Sequence, residues 1–333
     1  MKVLIVHSGP PGEIVFSTVL VRVLKIQIEE AAIFYFTHET GKRILTENPY
    51  LDAVWASDNS DDVKACQTNR YDYVLDLSPD FRSWLQTRRL KGKVIRLDKR
   101  RWKKWLLTRL KINRMIPMHL IDQYIATASV LNVKNDGMRP DFNIPYRDEV
   151  PPDWLPDPFQ KGYVAFCISA PHNTRKLPLE RMIVLCDRIN KPVVLLGNNE
   201  DVESGSTIER FFARSASEDV EEGLQALNKK AIVYNACAKF SFNQMASVVR
   251  NSRYVFTFDN DFVAIASAFG KESFVLYGNT VTDFGVYPVN SRFTILENNR
   301  LACRPCATSG YNKCPRGHFR CMNDIVFDFY LPW

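Results

Sequence analysis

Short apolar runs alternating with longer helical patterns constrain this chain more than any other feature. "KVLIV" (residues 2–6) is a strand-length apolar run, and "GEIVFSTVLVRVLKIQI" (12–28) follows with apolar spacing near that of a helix. "AIFYFTH" (32–38) reads as the next strand and "ETGKRILTEN" (39–48) as a helix. Further strands read over "LDAVWASD" (51–58) and "YDYVLDLS" (71–78). Strands apolar on both faces belong to a parallel sheet covered by helices on both sides. The pattern therefore predicts a doubly wound α/β domain.

A Pro-rich segment, residues 144–162, then carries five prolines without periodicity, and the alternation restarts beyond it. "YVAFCISA" reads as strand, "LERMIVLCDRI" as helix, and "PVVLLGN" and "AIVYNA" as strands. "SFNQMASVVRN" reads as helix, "YVFTFD" as strand, "DFVAIASAF" as helix and "ESFVLYG" as strand. The predicted organisation is an N-terminal Rossmann-like domain over 1–146, a linker over 147–160, a second such domain over 161–300 and a Cys-rich tail over 301–333. Ligands of such folds bind at the carboxyl ends of the strands, so an interdomain cleft is the expected site.

Hydrophobic content of 46% and charged content of 24% suit a globular domain, and no apolar run reaches bilayer length. The start, "MKVLIVHSG", has a five-residue apolar run and no small-residue cleavage site, so it reads as a first strand rather than a signal peptide, and a cytoplasmic location is expected. The net charge of +7 is unevenly spread: Arg88 to Arg114 holds thirteen Lys/Arg and one acid, Asp98. Such a local positive field suits phosphates of a ligand, a nucleic acid or a membrane surface. No nucleic-acid motif accompanies it, which leaves a ligand or the inner membrane face. Trp102, Trp105, Leu106 and Leu107 within it read equally as core residues of one helix.

Several turns carry candidate chemistry. In "HSGPPGEIVF" a strand ends at His7 and a helix begins near Gly12 and Glu13. A carboxylate there can accept a proton from a hydroxyl nucleophile, or simply complement the helix dipole. In "SAPHNTRKLP", Thr174, Arg175 and Lys176 offer a hydroxyl and cations where a leaving diphosphate would develop charge. In "LLGNNED", Asp201 could accept from ribose hydroxyls or cap a helix. "FDNDF" places Asp259, Asn260 and Asp261 where a phosphate-cradling turn is usual. Finally, Cys303, Cys306, Cys314 and Cys321 fall within nineteen residues, with His318 nearby, a density that fits a structural zinc site or free thiols.

These segments, taken in order, resemble glycosyltransferase family 9, the lipopolysaccharide heptosyltransferases and their relatives. The resemblance runs from "MKVLIVHSGPPGEIVFSTVLVRVLK" through "YDYVLDLSPDFRS", "TRKLPLERM" and "VVLLGNNED" to "YGNTVTDFGVYP" and the cysteine tail. It implies a GT-B fold: two Rossmann-like domains facing a cleft, the first holding an acceptor and the second a nucleotide-activated sugar such as ADP-heptose. It implies an inverting transfer without a catalytic metal to a lipopolysaccharide-core or related glycolipid acceptor. On this resemblance Glu13 is the catalytic base. Thr174, Arg175, Lys176, Asp201, Asp259, Asn260 and Asp261 would bind donor, and Gly12, Ser78 and Arg82 acceptor.

The sequence departs from that pattern at identifiable positions. Glu13 stands for Asp and Arg175 for Lys. Asp261 stands for a Gly that lets backbone amides approach the diphosphate, and Ala264 for a His. Ala238 stands for another Gly, and Ser78 for a His. A carboxylate at 261 would crowd and repel a diphosphate, so a homologue with impaired turnover that binds a glycan or a partner is the alternative expectation.

Overall fold

Eleven parallel strands form two sheets in the computed structural model, which describes residues 1–218 and 231–333. The first sheet contains β1 (Lys2–Val6), β2 (Ala32–Thr37), β3 (Ala53–Ala56), β4 (Arg70–Asp76) and β5 (Lys91–Arg96), in the order β3-β2-β1-β4-β5. The second contains β6 (Val164–Cys167), β7 (Val193–Leu196), β8 (Val233–Asn235), β9 (Tyr254–Phe258), β10 (Ser273–Tyr277) and β11 (Phe293–Glu297), in the order β11-β10-β9-β6-β7-β8. Both are doubly wound, and their strand order reverses between β1 and β4 and between β6 and β9. Strand β5 was not expected: it lies within the basic stretch, at a sheet edge where its exposed Lys91 and Lys93 are tolerated.

The helices around the first sheet are α1 (Pro11–Gln27), α2 (Glu39–Leu45), α3 (Ser60–Thr68), α4 (Phe81–Thr87), α5 (Arg101–Trp105) and α6 (Leu120–Thr127). Helix α5 continues as a π turn over Leu106–Leu110. Around the second sheet lie α7 (Asp157–Gln160), α8 (Leu179–Ile189), α9 (Val202–Glu218), α10 (Phe242–Asn251), α11 (Phe262–Ala268) and α12 (Arg320–Asn323).

Helix α1 is not the one-sided amphipathic helix that its spacing suggests. Gly12 and every residue from Ile14 to Leu24 are buried, because α1 is packed by its own sheet, by α6 and by α11 of the second domain. Arg22, within it, is buried against Asp136 and Asp141, which supply the compensating charge. Helix α11 is buried equally, from Phe262 to Ser267. One apolar core therefore runs through both domains, joining Ile14, Leu20 and Leu75 to Val255, Val263 and Val275.

The Pro-rich segment is not structureless. It contains short helical turns at Tyr146–Asp148 and Pro152–Trp154 before α7, and it buries Val150, Leu155 and Phe159. Glu149 accepts from Arg250 and Ser247 on α10, which pins this segment to the second domain.

Candidate active site

The two strand-order reversals face each other. The loop after β1 leads into α1, the loop after β9 leads into α11, and the two loops meet where the Gly12 N–H donates to the Asp261 carboxylate at 2.8 Å. A Cβ on Gly12 would stand 2.7 Å from the Asp261 Cα, so only glycine permits this approach. Pro10 and Pro11 fix the start of α1, with Pro11 at its first position, where no N–H is needed. Glu13 follows in the first turn, placed by the helix beside the crevice.

Glu13 differs from the neighbouring acids. Its carboxylate makes no hydrogen bond among the described residues, whereas Asp76, Asp201, Asp259 and Asp261 all accept at least one. The Glu13 side chain retains 39% of its surface, yet protein surrounds it, and this burial holds its carboxyl above the ordinary range. Lys104, Lys99 and Arg175 oppose that rise, and Asp261 adds to it. Lys104 and Lys99 are themselves pushed down by burial, and each is partly restored by Glu13. Glutamate and cations thus form one electrostatic unit.

Behind Glu13 lies His7, fully buried at the end of β1. Its Nδ1 accepts from the Gly9 N–H at 3.1 Å, which leaves the proton on Nε2, 2.9 Å from the Tyr124 hydroxyl. Burial pushes the His7 pKa down to about 3, so the 4.0 Å approach of Nε2 to the Glu13 carboxylate is a polar contact, not an ion pair. Gly9 is required here as well: a Cβ would meet the His7 ring at 2.5 Å and the Glu13 carboxylate at 2.8 Å.

The expected donor residues are brought to the end of the second sheet, but most are engaged with protein. The Thr174 hydroxyl accepts from the Tyr311 N–H at 2.8 Å, so it anchors the tail instead of facing the crevice. Lys176 donates to Asp201 at 2.5 Å, and Asp201 also accepts from Ser169 and from the Asn198 N–H. Asp201 is buried and closes the turn after β7 from its third position, while Asn198 stands at the N-cap. Asp259 accepts from the Thr280 hydroxyl at 2.6 Å and lies 3.4 Å from Arg175. Asn260 ties the turn to Ser169 O and caps α11 by accepting from the Phe262 N–H.

Three amides at the start of α11 are bonded within this turn. Phe262 N–H goes to the Asn260 side chain, Val263 N–H to Asn260 O and Ala264 N–H to Asp261 O. Arg175 is held by this turn too: its Nη1 donates to Asp259 O at 3.0 Å and its Nη2 lies 3.4 Å from the Asp259 carboxylate, while its buried Nε has no hydrogen-bond partner among the described residues. Ala238 keeps a glycine-like backbone, with φ of 60°. The turn geometry is therefore retained there without the residue that adopts it freely.

On the acceptor side, Gly12 is engaged by Asp261, and Ser78 is buried, its hydroxyl accepting from the Ser8 N–H at 3.2 Å. Arg82 lies on α4, and its side chain falls outside the described residues. Sequence reasoning missed His7, Lys99, Lys104 and Tyr124 as neighbours of Glu13. For Lys104 a signal existed: Leu107 stands three residues on and is buried, so both share one helical face.

In the tail, the Cys303 sulfur lies 3.8 Å from His318 Nε2. Burial and the neighbouring Cys303 and Cys314 thiols push the Cys306 thiol up, and burial pushes Cys321 up to about 12. The four cysteines gather, but among the described residues no group of three His, Cys, Asp or Glu side chains is arranged to hold a metal ion.

The family profile "Glycosyltransferase family 9 (heptosyltransferase)" matches residues 63–313, more than half of the chain. The chain belongs to glycosyltransferase family 9. The match spans the cation and acid turns of the second domain and begins beyond Gly12 and Glu13. No curated protein sequence matches the chain.

Solved structures share the GT-B fold over nearly the whole length. A family 9 glycosyltransferase from Veillonella parvula DSM 2008 superposes with a TM-score of 0.65 at 17% identity, covering 90% of this chain and 88% of that one. The ADP-heptose lps heptosyltransferase II of E. coli gives 0.64 at 17% identity, covering 97% and 98%. E. coli heptosyltransferase WaaC with ADP gives 0.63 at 16% identity, covering 89% and 93%. This family 9 chain therefore has the expected two-domain architecture, while its crevice carries its own residues.

Proposed function

We propose that this family 9 protein transfers a heptose-like sugar from a nucleotide-sugar donor to a lipopolysaccharide-core or related glycolipid acceptor, with inversion and without a catalytic metal. The observation that carries this reading is Glu13, the crevice carboxylate that makes no hydrogen bond among the described residues, within electrostatic range of Lys99, Lys104 and Arg175. Glu13 takes the proton of an acceptor hydroxyl. The hydroxyl oxygen then bonds to the anomeric carbon as the sugar–phosphate bond breaks, and the nucleoside diphosphate leaves with the electron pair. Arg175, held beside Asp259 at the turn before α11, opposes the charge on that leaving group. The structural relatives described with ADP and ADP-heptose support an ADP-activated sugar as the donor.

The amides bonded at the start of α11 favour a second reading, in which the donor site has decayed and the protein binds a glycan or a partner without turnover. Thermal unfolding with a panel of nucleotide sugars, followed by a transfer assay on any that bind, separates the two. A melting shift with ADP-heptose and product formation support transfer. Absence of a shift with every nucleotide sugar overturns it. For the tail, we propose a structural zinc held by Cys303, Cys306, Cys314 and Cys321. Binding would require these gathered thiols to close around the ion and lose their protons.

A further inference from the structure

The basic stretch divides into two populations that the sequence does not separate. On α5 and its π turn, Lys104 and Leu107 face inward: Lys104 lies 5.7 Å over the Phe284 ring and interacts electrostatically with Glu13, and Leu107 packs with Met115 and Phe284. On the other side, Trp102 and Trp105 stack on each other at 4.9 Å and remain 67% and 43% exposed. Leu110 and Ile112 continue as exposed apolar residues. Helix α4 adds Phe81, 74% exposed, which stacks on the exposed Trp84. The two elements are neighbours, since Arg101 donates to Pro79 O in the loop before α4.

Around these aromatic residues, Arg88, Arg89, Lys103, Arg109 and Arg114 make no ion pair among the described residues. Arg88 lies 4.7 Å over the Trp84 ring. A solvated basic face would not expose two stacked aromatic pairs, and a protein-core helix would bury them. Aromatic rings beside unpaired Lys and Arg match the headgroup layer of an anionic bilayer, where rings enter the interface and cations meet lipid phosphates.

We propose that the exposed face of α4, α5 and the π turn docks this protein on an anionic bilayer, with Trp102 and Trp105 entering the interface. The opposite face of the same short helix carries Lys104 toward Glu13. The bilayer surface would then lie at least a helix diameter, about 10 Å, from the proposed base. This orientation rests on the glycolipid-acceptor reading, because a lipid-linked sugar would reach the crevice without leaving its membrane.

The test uses the full chain and vesicles without donor or acceptor sugar, so its outcome does not depend on transfer. Vesicles of phosphatidylcholine alone are compared with vesicles containing phosphatidylglycerol, by co-sedimentation and tryptophan emission. Binding is expected only with the anionic lipid, with a blue shift in emission and loss of binding at high salt. W102S/W105S is expected to weaken binding about tenfold or more and to remove most of the blue shift. A separate R88Q/K103Q/R109Q variant, which leaves the rings in place, is expected to weaken it about a hundredfold. Circular dichroism and melting must match wild type for either variant to count. Absence of binding to anionic vesicles, or equal binding by folded variants of both kinds, overturns the proposal.

Discussion

Replacing Gly12 with Ala tests the interdomain contact directly, because two readings of the site give opposite signs. Gly12 lies in the first turn of α1 with no unusual backbone angle, so on helix propensity alone Ala stabilises by about 1 kcal/mol. In this structure the added methyl would stand 2.7 Å from the Asp261 Cα and 3.0 Å from its carbonyl oxygen and carboxylate. These are largely backbone atoms at the start of a buried helix, so neither side can yield by rotating a side chain. Overpacking of this kind costs about 1–3 kcal/mol. If the loops separate, the Gly12 N–H bond to the carboxylate is lost as well, about 1.5–3 kcal/mol for a charged acceptor. The net expectation is a destabilisation of about 1.5–5 kcal/mol after the propensity gain is subtracted. Urea unfolding followed by tryptophan fluorescence should show a lower midpoint. In an Asp261→Gly background the hydrogen-bond part is already absent but the backbone clash remains, so the penalty of Gly12→Ala should shrink without vanishing. A neutral or raised midpoint for Gly12→Ala in wild type would refute the contact between the two loops.

Glu13→Gln should reduce transfer by about two to four orders of magnitude while leaving the melting shift with nucleotide sugar unchanged. Since only ionised Glu13 accepts a proton and burial raises its pKa, the wild-type rate should climb with pH through a value above that of a free carboxylate, as a pH–rate profile would show. Asp261→Asn keeps an oxygen for the Gly12 N–H and removes the charge. Burial raises the folded-state pKa of Asp261, so its wild-type contribution is complete below the unfolded pKa and is lost as pH rises through the folded one. The midpoint of Asp261→Asn relative to wild type should therefore increase from about pH 4 toward neutrality; a constant difference would argue against the burial. Ala238→Gly relieves a left-handed backbone worth about 1–2 kcal/mol and gives back about 0.4–1 through unfolded-chain freedom, so a small rise in melting temperature is expected. Metal analysis of protein purified without chelator should find about one zinc per chain through the four tail cysteines, and its absence would remove the zinc proposal.

Much of the architecture was legible because it rests on local signals. Continuous apolar runs such as "KVLIV" and "YVFTF" lie in strands buried at every position beyond Lys2. The Pro-rich stretch separates the two sheets, although its turns and its docking on α10 were not visible, since Val150 and Phe159 find their partners far along the chain. Strand β11 was overlooked because "FTILE" lies at a sheet edge and is only partly buried. In the site, the sequence placed Glu13 at the start of α1, Arg175 after β6 and Asp261 after β9, as the structure has them. It did not reveal that Thr174 faces the tail, that Lys176 pairs with Asp201, or that Asn260 accepts from the Phe262 and Val263 amides.

What the sequence alone determined is therefore the alternation, the family and the list of groups available at the strand ends, because each depends on neighbours within one element. Which groups are engaged and which are open was decided only in three dimensions. Asp261 meets Gly12 across 249 positions of chain. Lys104 acts on the Glu13 charge from a stretch that reads as uniformly basic, while Trp102 on the same helix turns outward. Side-chain charge is a property of composition, but its partner, its burial and hence its protonation are set by the packing of one domain against the other.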